Sequence, residues 1–327
     1  MGKYPGVNRN SAKIAVLVFF IVLVSLLHYL IPTETHTLHK VHIVLRKLYF
    51  LPPVMAAAWF GLRGSLFTTL AISTLFTIHA IFDWPGNYME QANQMGELAS
   101  FWVVGVVSGY LFDRQRSLLE SLANANEETL LALVSALDMR EKNTRLHSQR
   151  VRDYTLLLAD RHGVPERERR IIGIGALLHD VGKIAVPDHI LLKPAQLTEE
   201  EWAEMRRHPM EGYKLLKRIG FLKDAADIVY AHHEHYDGSG YPRGLKGNAI
   251  PLGARLFMVS DVYDAITSDR PYRSPVDYDE AAKEIFSKSG SHFDPAVVET
   301  FLAIDRKAWL ATAERYQDSE AYPSTLI

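Results

Sequence analysis

Long apolar runs fill the first 112 residues, whereas almost every charged residue follows Asp113. The run IAVLVFFIVLVSLLHYLI, residues 14–31, is long enough to cross a hydrocarbon core of about 30 Å as a helix. No A-x-A cleavage pattern follows it, so it reads as an anchor rather than a cleaved leader. Two further spans are expected over 43–60 and 62–82. They abut at FGLRG, whose glycines suit a tight turn carrying Arg63. A fourth, ELASFWVVGVVSGYLF, ends at Phe112. Lys3, Arg9 and Lys13 precede the first span, Arg63 separates the second and third, and Arg114 and Arg116 follow the fourth. The loop 83–97 has neither Lys nor Arg. The positive-inside rule then puts both termini in the cytoplasm of a multi-pass protein of the inner membrane. Lys40, Arg46 and Lys47 oppose this, but three spans would carry the charged half outside, so about four are expected.

The pattern changes at residue 113. The segment 113–137 lacks proline and glycine and spaces Leu119, Leu122, Asn126, Leu133 and Leu137 at helical intervals. It reads as a linker helix, either a short parallel coiled coil in a homodimer, with Asn126 in the seam, or one amphipathic helix packed on the next domain. From Thr144 onward the periodicity is helical. Val151, Tyr154, Leu157 and Leu158 share a face that stops at Gly163, and RERRIIGIGALLHDVGK reads as a buried helix ending at Gly182. Thr198 with Glu201 forms a capping-box pattern, and Asp294 with Pro295 an N-cap followed by proline at the first helical position. Convincing β alternation is missing, so the fold class is all-α.

Composition narrows the chemistry. A length of 327 residues leaves room for two domains, and a formal charge of −2 gives no footprint for duplex nucleic acid. With no cysteine in the chain, any metal must be held by histidine and oxygen. His147, His179, Asp180, His208, His232, His233 and Asp261 recur at intervals that let successive helices bring them to one interior point. Singly, each such histidine is more often a structural residue. The doublet His179–Asp180 is sharper, because it directly follows Ala176, Leu177 and Leu178, and an ionisable pair there is costly to bury unless paired or metal-bound. Adjacent helical residues point about 100° apart, so His179 can serve one metal while Asp180 bridges to a second. The same holds for His232 and His233 in AHHEHYDGSGYP. Two neighbouring divalent ions are the usual apparatus for in-line attack on phosphorus.

The motifs HSQRV, LLHDVGKIAVPDHILLKP, HPMEGYKLL, HHEHYDGSGYPRGLKG, IPLGARLFMVSDVYDAITSDRPYR and FDP, in this order, resemble the HD-GYP family of HD phosphohydrolases. The resemblance runs from about residue 138 to 304 and implies an all-helical domain, 138–310, with a tail, 311–327. It also implies a centre of two or three iron or manganese ions that hydrolyses cyclic di-GMP to pGpG and in some members to GMP. The seven residues above match the family's ligand positions. Asp180 and Lys183 are the expected catalytic residues, Lys183 reaching a phosphate oxygen or the Asp264 carboxylate. Lys183, Tyr241, Arg270 and Arg273 match substrate-phosphate contacts, and Glu234 and Asp264 are expected to orient ligands from behind. Asn143 stands where some members have a metal-holding glutamate, so two metals are expected. Glu141 lies two positions earlier in the wrong helical phase. His235 reads as peripheral, His162, His189 and His292 as structural, and His36, His39 and His42 as interfacial. Two other functions stay open: hydrolysis of another cyclic dinucleotide or nucleotide phosphate, and a receptor that binds cyclic di-GMP without turnover.

Overall fold

The computed structural model describes residues 9–30, 36–83, 88–141, 146–269 and 274–317. Helices dominate, and among the described residues the β pairing is a single bridge between Ser289 and Phe293. Arg270, Arg273, Asn143 and the side chains of His36, His39 and His42 lie outside this description. The chain divides into two compact units, Met1–Asn126 and Glu127–Ile327.

The first unit contains α1 (Arg9–Leu30), α2 (His36–Leu48), α3 (Leu51–Asp83) and the first part of α4 (Tyr88–Glu141). Where sequence reading expects about four spans, three helices are long and apolar enough to cross a membrane: Asn10–Leu30, Ile43–Ile81 and Ala92–Glu141. The middle one holds both the second and third expected spans. Its helix breaks at Gly61, at φ 68° and ψ −155°, inside the FGLRG turn. The chain doubles back there, since Tyr49 and Phe76 meet with ring centroids 6.0 Å apart. Asp113 accepts from the Leu62 amide at 2.9 Å and Arg116 donates to the Ala58 carbonyl, so α4 satisfies a helix end on each side of the break. A Cβ at residue 61 would meet the Asp113 carboxylate, and the positive φ there favours glycine.

In the second unit α5 (His147–Arg161) packs on α6 (Glu166–Leu177) and on α11 (Leu252–Thr267), while α9 (His208–Lys217) packs on α10 (Ala226–Ala231). Short helices α7 (Asp188–Leu191) and α8 (Glu199–Met205) precede α9, and α12 (Tyr278–Ser287), α13 (Pro295–Ala303) and α14 (Arg306–Gln317) close the unit. Tyr154, Tyr263, Phe301 and Trp309 form an aromatic core between α5, α11, α13 and α14. The helix α14 continues past residue 310, and the Tyr316 hydroxyl donates to Asp153 at 2.8 Å, so the unit takes in the first residues expected as tail.

The last turns of α4 belong to this unit. Leu130 and Val134 are buried against Leu177, Leu178, Leu216 and Val229, worth about 1.5–3 kcal/mol each. This is the amphipathic packing considered for the linker. Leu119, Leu122 and Leu133 remain more than half exposed, so the expected coiled-coil face lies open in the single chain.

Candidate metal centre

Sequence reading places His179 and Asp180 on a helix that ends at Gly182, but α6 ends earlier. Leu177 is its last residue, His179 and Asp180 occupy a turn, and Val181–Ala185 forms a 3₁₀ turn. The tightening has a steric cause. Gly182 lies so close to the His208 carbonyl and the Gly212 amide that any Cβ would overlap them, and this contact fixes the turn against the start of α9.

All seven expected ligand residues come together, in two groups. One comprises His147, His179 and Asp261, the other Asp180, His208, His232 and His233, and within each the donor atoms lie within 4.8 Å of one another. Asp180 also reaches the first group. Its Oδ2 is 3.0 Å from His179 Nε2, whereas Oδ1 is 3.3 Å from His208 Nε2 and 3.8 Å from His232 Nε2. Its carboxylate stands between two donor sets.

The imidazoles share one local device. His179, His208 and His232 each follow a helix end or turn in which Nδ1 hydrogen-bonds the carbonyl three residues back: Ala176 at 2.9 Å, Met205 at 2.8 Å and Val229 at 2.6 Å. His147, the first residue of α5, instead sets Nδ1 2.7 Å from Asp264 Oδ2 and Nε2 3.3 Å from Asp261 Oδ1. Asp261 and Asp264 lie one turn apart on α11, so a single helix addresses both ring nitrogens. With Nδ1 donating, a neutral ring presents its Nε2 lone pair inward, the arrangement of metal-ligating histidines. His208 Nε2 and His232 Nε2 face each other at 3.1 Å. Two such lone pairs repel unless a cation lies beside them, and this donor set fits a divalent ion.

The electrostatics agree with that fit. Burial alone would raise the Asp180 pKa, but His179 and Lys183 outweigh it and hold the carboxyl well below its usual range. Burial also favours neutral His147, yet its hydrogen bonds to the Asp261 and Asp264 carboxylates push it up to about 10. His233 is driven down to about 3 by burial and by the charge of His208, and His232 falls well below its ordinary value through burial, His233 and His208. His232 and His233 are thus held neutral on one side of Asp180, whereas the pKa of His179 on the other side is raised by the Asp180 carboxylate against its burial, so a cation there takes the place of a proton.

The HD-domain model matches residues 132–297, about half of the chain. The chain belongs to the HD domain family. Over 193 residues it is 44% identical to a cyclic di-GMP phosphodiesterase response regulator, RpfG, of Xanthomonas campestris, covering 58% of this chain and 51% of that protein. A cyclic di-GMP phosphodiesterase of Thermotoga maritima is 41% identical, covering 55% and 51%. The 3'3'-cGAMP-specific phosphodiesterase 2 of Vibrio cholerae is 38% identical, covering 57% and 36%. The chain spans about half the length or less of these relatives. Together with the ordered motifs, the matches place this HD domain in the HD-GYP branch.

Around the HD centre some expected contacts change partners. Lys183 Nζ is 2.8 Å from Asp180 Oδ2 and 3.1 Å from Glu141 Oε2, so of its two expected partners, a phosphate oxygen or Asp264, the second is not the one it takes. The buried Asp264 is taken by His147 and by Arg150, whose Nε lies 2.7 Å away, which leaves no approach for a lysine based on another element. Tyr241 stacks on His233 with centroids 4.6 Å apart, and the Tyr241–Pro242 peptide is cis. Glu234 is buried, but it accepts from the amides of Arg243 at 2.8 Å and Leu245 at 2.9 Å. It therefore braces the loop rather than orienting an imidazole. His235 turns away, stacking on His292 and meeting Ser239.

Sequence reasoning missed two contributors. Arg150 could have been read from its position one turn after His147, on the same helix face. Glu141 ends α4, where helical phase no longer decides direction. A nearby acid, Asp138, is pushed up to about 6, chiefly by burial.

Proposed function

We propose that this HD domain is the catalytic part of a membrane-anchored phosphodiesterase that opens cyclic di-GMP to pGpG. The observation that supports it most is the Asp180 carboxylate, whose two oxygens face separate histidine sets. His147, His179, Asp261 and Asp180 would hold one divalent ion and Asp180, His208, His232 and His233 a second, iron or manganese. When bound, such ions supply positive charge beside a phosphodiester and a water activated for attack.

The chain's own groups account for the rest. Lys183, whose ammonium is held by Asp180 and Glu141, stands beside the centre to meet phosphate charge. Arg270 and Arg273 would clamp phosphate oxygens bidentately, which lysine does poorly, and Tyr241, stacked on His233, offers its phenol at the rim. The apolar first unit would anchor the enzyme in the inner membrane, with reversal at Gly61 giving an even number of passages and a cytoplasmic HD domain. Leu119, Leu122 and Leu133 supply an exposed apolar face for a homodimer through the linker.

A second substrate, 3'3'-cGAMP, is favoured by the relatives of 34–38% identity that are named for it. The test is product analysis on the full chain, purified without oxygen and loaded with iron or manganese, against cyclic di-GMP, 3'3'-cGAMP and cyclic di-AMP. Linear pGpG formed fastest supports the proposal. Faster opening of 3'3'-cGAMP replaces the substrate, and tight cyclic di-GMP binding without product makes the chain a receptor.

A further inference from the structure

We infer that Arg140 is a positioning residue for Lys183, through which the last turn of α4 sets the reacting geometry; this rests on the phosphodiesterase reading above. Its guanidinium gathers the segment that leaves the centre. Nη1 lies 3.0 Å from the Lys183 carbonyl, Nη2 lies 2.6 Å from the Val186 carbonyl, and Nε and Nη2 reach Asp188 Oδ1 at 2.9 and 2.6 Å. One planar fork therefore spans both ends of the stretch 183–188. The next residue, Glu141, takes the Lys183 ammonium. Lys183 is held from α4 twice, by its backbone oxygen and by its side chain.

The position of this strap decides what it controls. None of the seven ligand residues is a hydrogen-bond or ion-pair partner of Arg140, and the imidazoles have their own supports at Ala176, Met205, Val229 and Asp264. Loosening Arg140 would leave the ions in place and displace the Lys183 ammonium. Misplacement by about 1 Å can cost on the order of 100-fold in rate. A shift of the last turn of α4 would act by the same route, since Arg140 and Glu141 are consecutive on it.

The experiment uses the full chain in nanodiscs, loaded with manganese, comparing wild type, Arg140→Ala, Arg140→Lys and Asp188→Asn on cyclic di-GMP and on bis(p-nitrophenyl) phosphate. Arg140→Ala is expected to lose about 10- to 100-fold in kcat, with KM and manganese content within about twofold. Millimolar guanidinium ion should restore part of that loss in Arg140→Ala but none in Lys183→Ala. Arg140→Lys should recover only a fraction, because a point charge cannot span the carbonyls and the carboxylate. Asp188→Asn, which keeps the carbonyl contacts, should lose about two- to fivefold, within the range of one exposed charged contact. Amide exchange of residues 181–188 should rise in Arg140→Ala while that of α11 stays constant. Wild-type kcat and exchange in Arg140→Ala overturn the inference. So does a joint fall of kcat, manganese content and thermal stability without guanidinium rescue, which is the signature of mere packing. A wild type that turns over the synthetic diester but no cyclic dinucleotide overturns the function proposed above, while the same variants still test Arg140.

Discussion

The two units bury histidines in opposite ways. In the first, His28 and His79, each at most 3% exposed, meet with ring centroids 4.2 Å apart. Tyr29, Tyr49 and Phe76 pack their rings around them, and the Tyr49 hydroxyl lies 3.4 Å from His28 Nδ1. In the second, His179, His208 and His232 are as deeply buried. Each has Nδ1 fixed on a carbonyl three residues back, and Asp180 lies among the Nε2 atoms. Burial is alike in the two clusters. What differs is the shared carboxylate of Asp180 among the inward-facing Nε2 atoms, and that anionic oxygen donor suits the second cluster to a cation.

The largest effect should come from removing that carboxylate with its neighbour. His179→Ala with Asp180→Ala is expected to abolish manganese loading and lower turnover by about a thousandfold or more, on the scale of losing metal-assisted attack. His28→Ala with His79→Ala should leave both within about twofold. Metal analysis and product formation on the same samples check this, and loss of metal from the His28 and His79 variant would break the comparison.

The support behind His147 should matter next. Asp264→Asn should weaken manganese affinity about 10- to 100-fold, as loss of a carboxylate behind a ligating imidazole does. A pH series sharpens this. Because the folded pKa of metal-free His147 is raised to about 10, the stability it contributes is complete below about 6.5, the unfolded value. That contribution is lost as pH rises through 10. Metal must displace that proton, so affinity should rise with pH by up to about tenfold per unit between 6.5 and 9. Chelator competition and melting curves across that range should therefore run in opposite directions, melting temperature of the metal-free protein falling while affinity climbs. An affinity independent of pH would show His147 neutral in the metal-free state.

Much of this was readable from residue order. The all-α class followed from periodicity, the break at Gly61 from the FGLRG glycines, and the caps at Thr198 and Asp294 from local hydrogen-bonding chemistry. The seven clustered residues were legible because nitrogen and oxygen donors recur against an apolar helical background. Three things were hidden. The 3₁₀ turn after His179 depends on Gly182 meeting the His208 backbone, a contact across 26 residues of chain. Lys183 exchanged Asp264 for Glu141 because tertiary packing had already given Asp264 to Arg150. The Glu234 carboxylate faces the loop because that loop buries two amides that need an acceptor.

Glu234→Gln comes third in size. An amide still accepts one hydrogen bond but gives up the charge-assisted pair to Arg243 and Leu245, so destabilisation of about 1–3 kcal/mol is expected, read as a lower melting temperature. Because Tyr241 sits between Glu234 and those amides in sequence, KM for cyclic di-GMP should rise more than kcat falls. Loss of manganese instead would return Glu234 to the role of orienting an imidazole.

The smallest effect belongs to His235, and it tests whether HHEH acts as a three-histidine unit. His235 follows His233 by two residues, yet its Nδ1 lies 2.9 Å from Ser239 Oγ and its ring stacks on His292 at 4.1 Å. Burial and the neighbouring His292 lower its pKa, so at neutral pH it brings no charge toward the centre. Nor is it in either donor group. His235→Ala should keep kcat, KM and manganese content within about twofold and cost less than about 1 kcal/mol of stability, the ordinary range for a substitution outside the core. A tenfold loss of turnover with metal retained would mean that the stack on His292 transmits order to His233. The boundary between the centre and its surroundings would then lie two residues further along the chain.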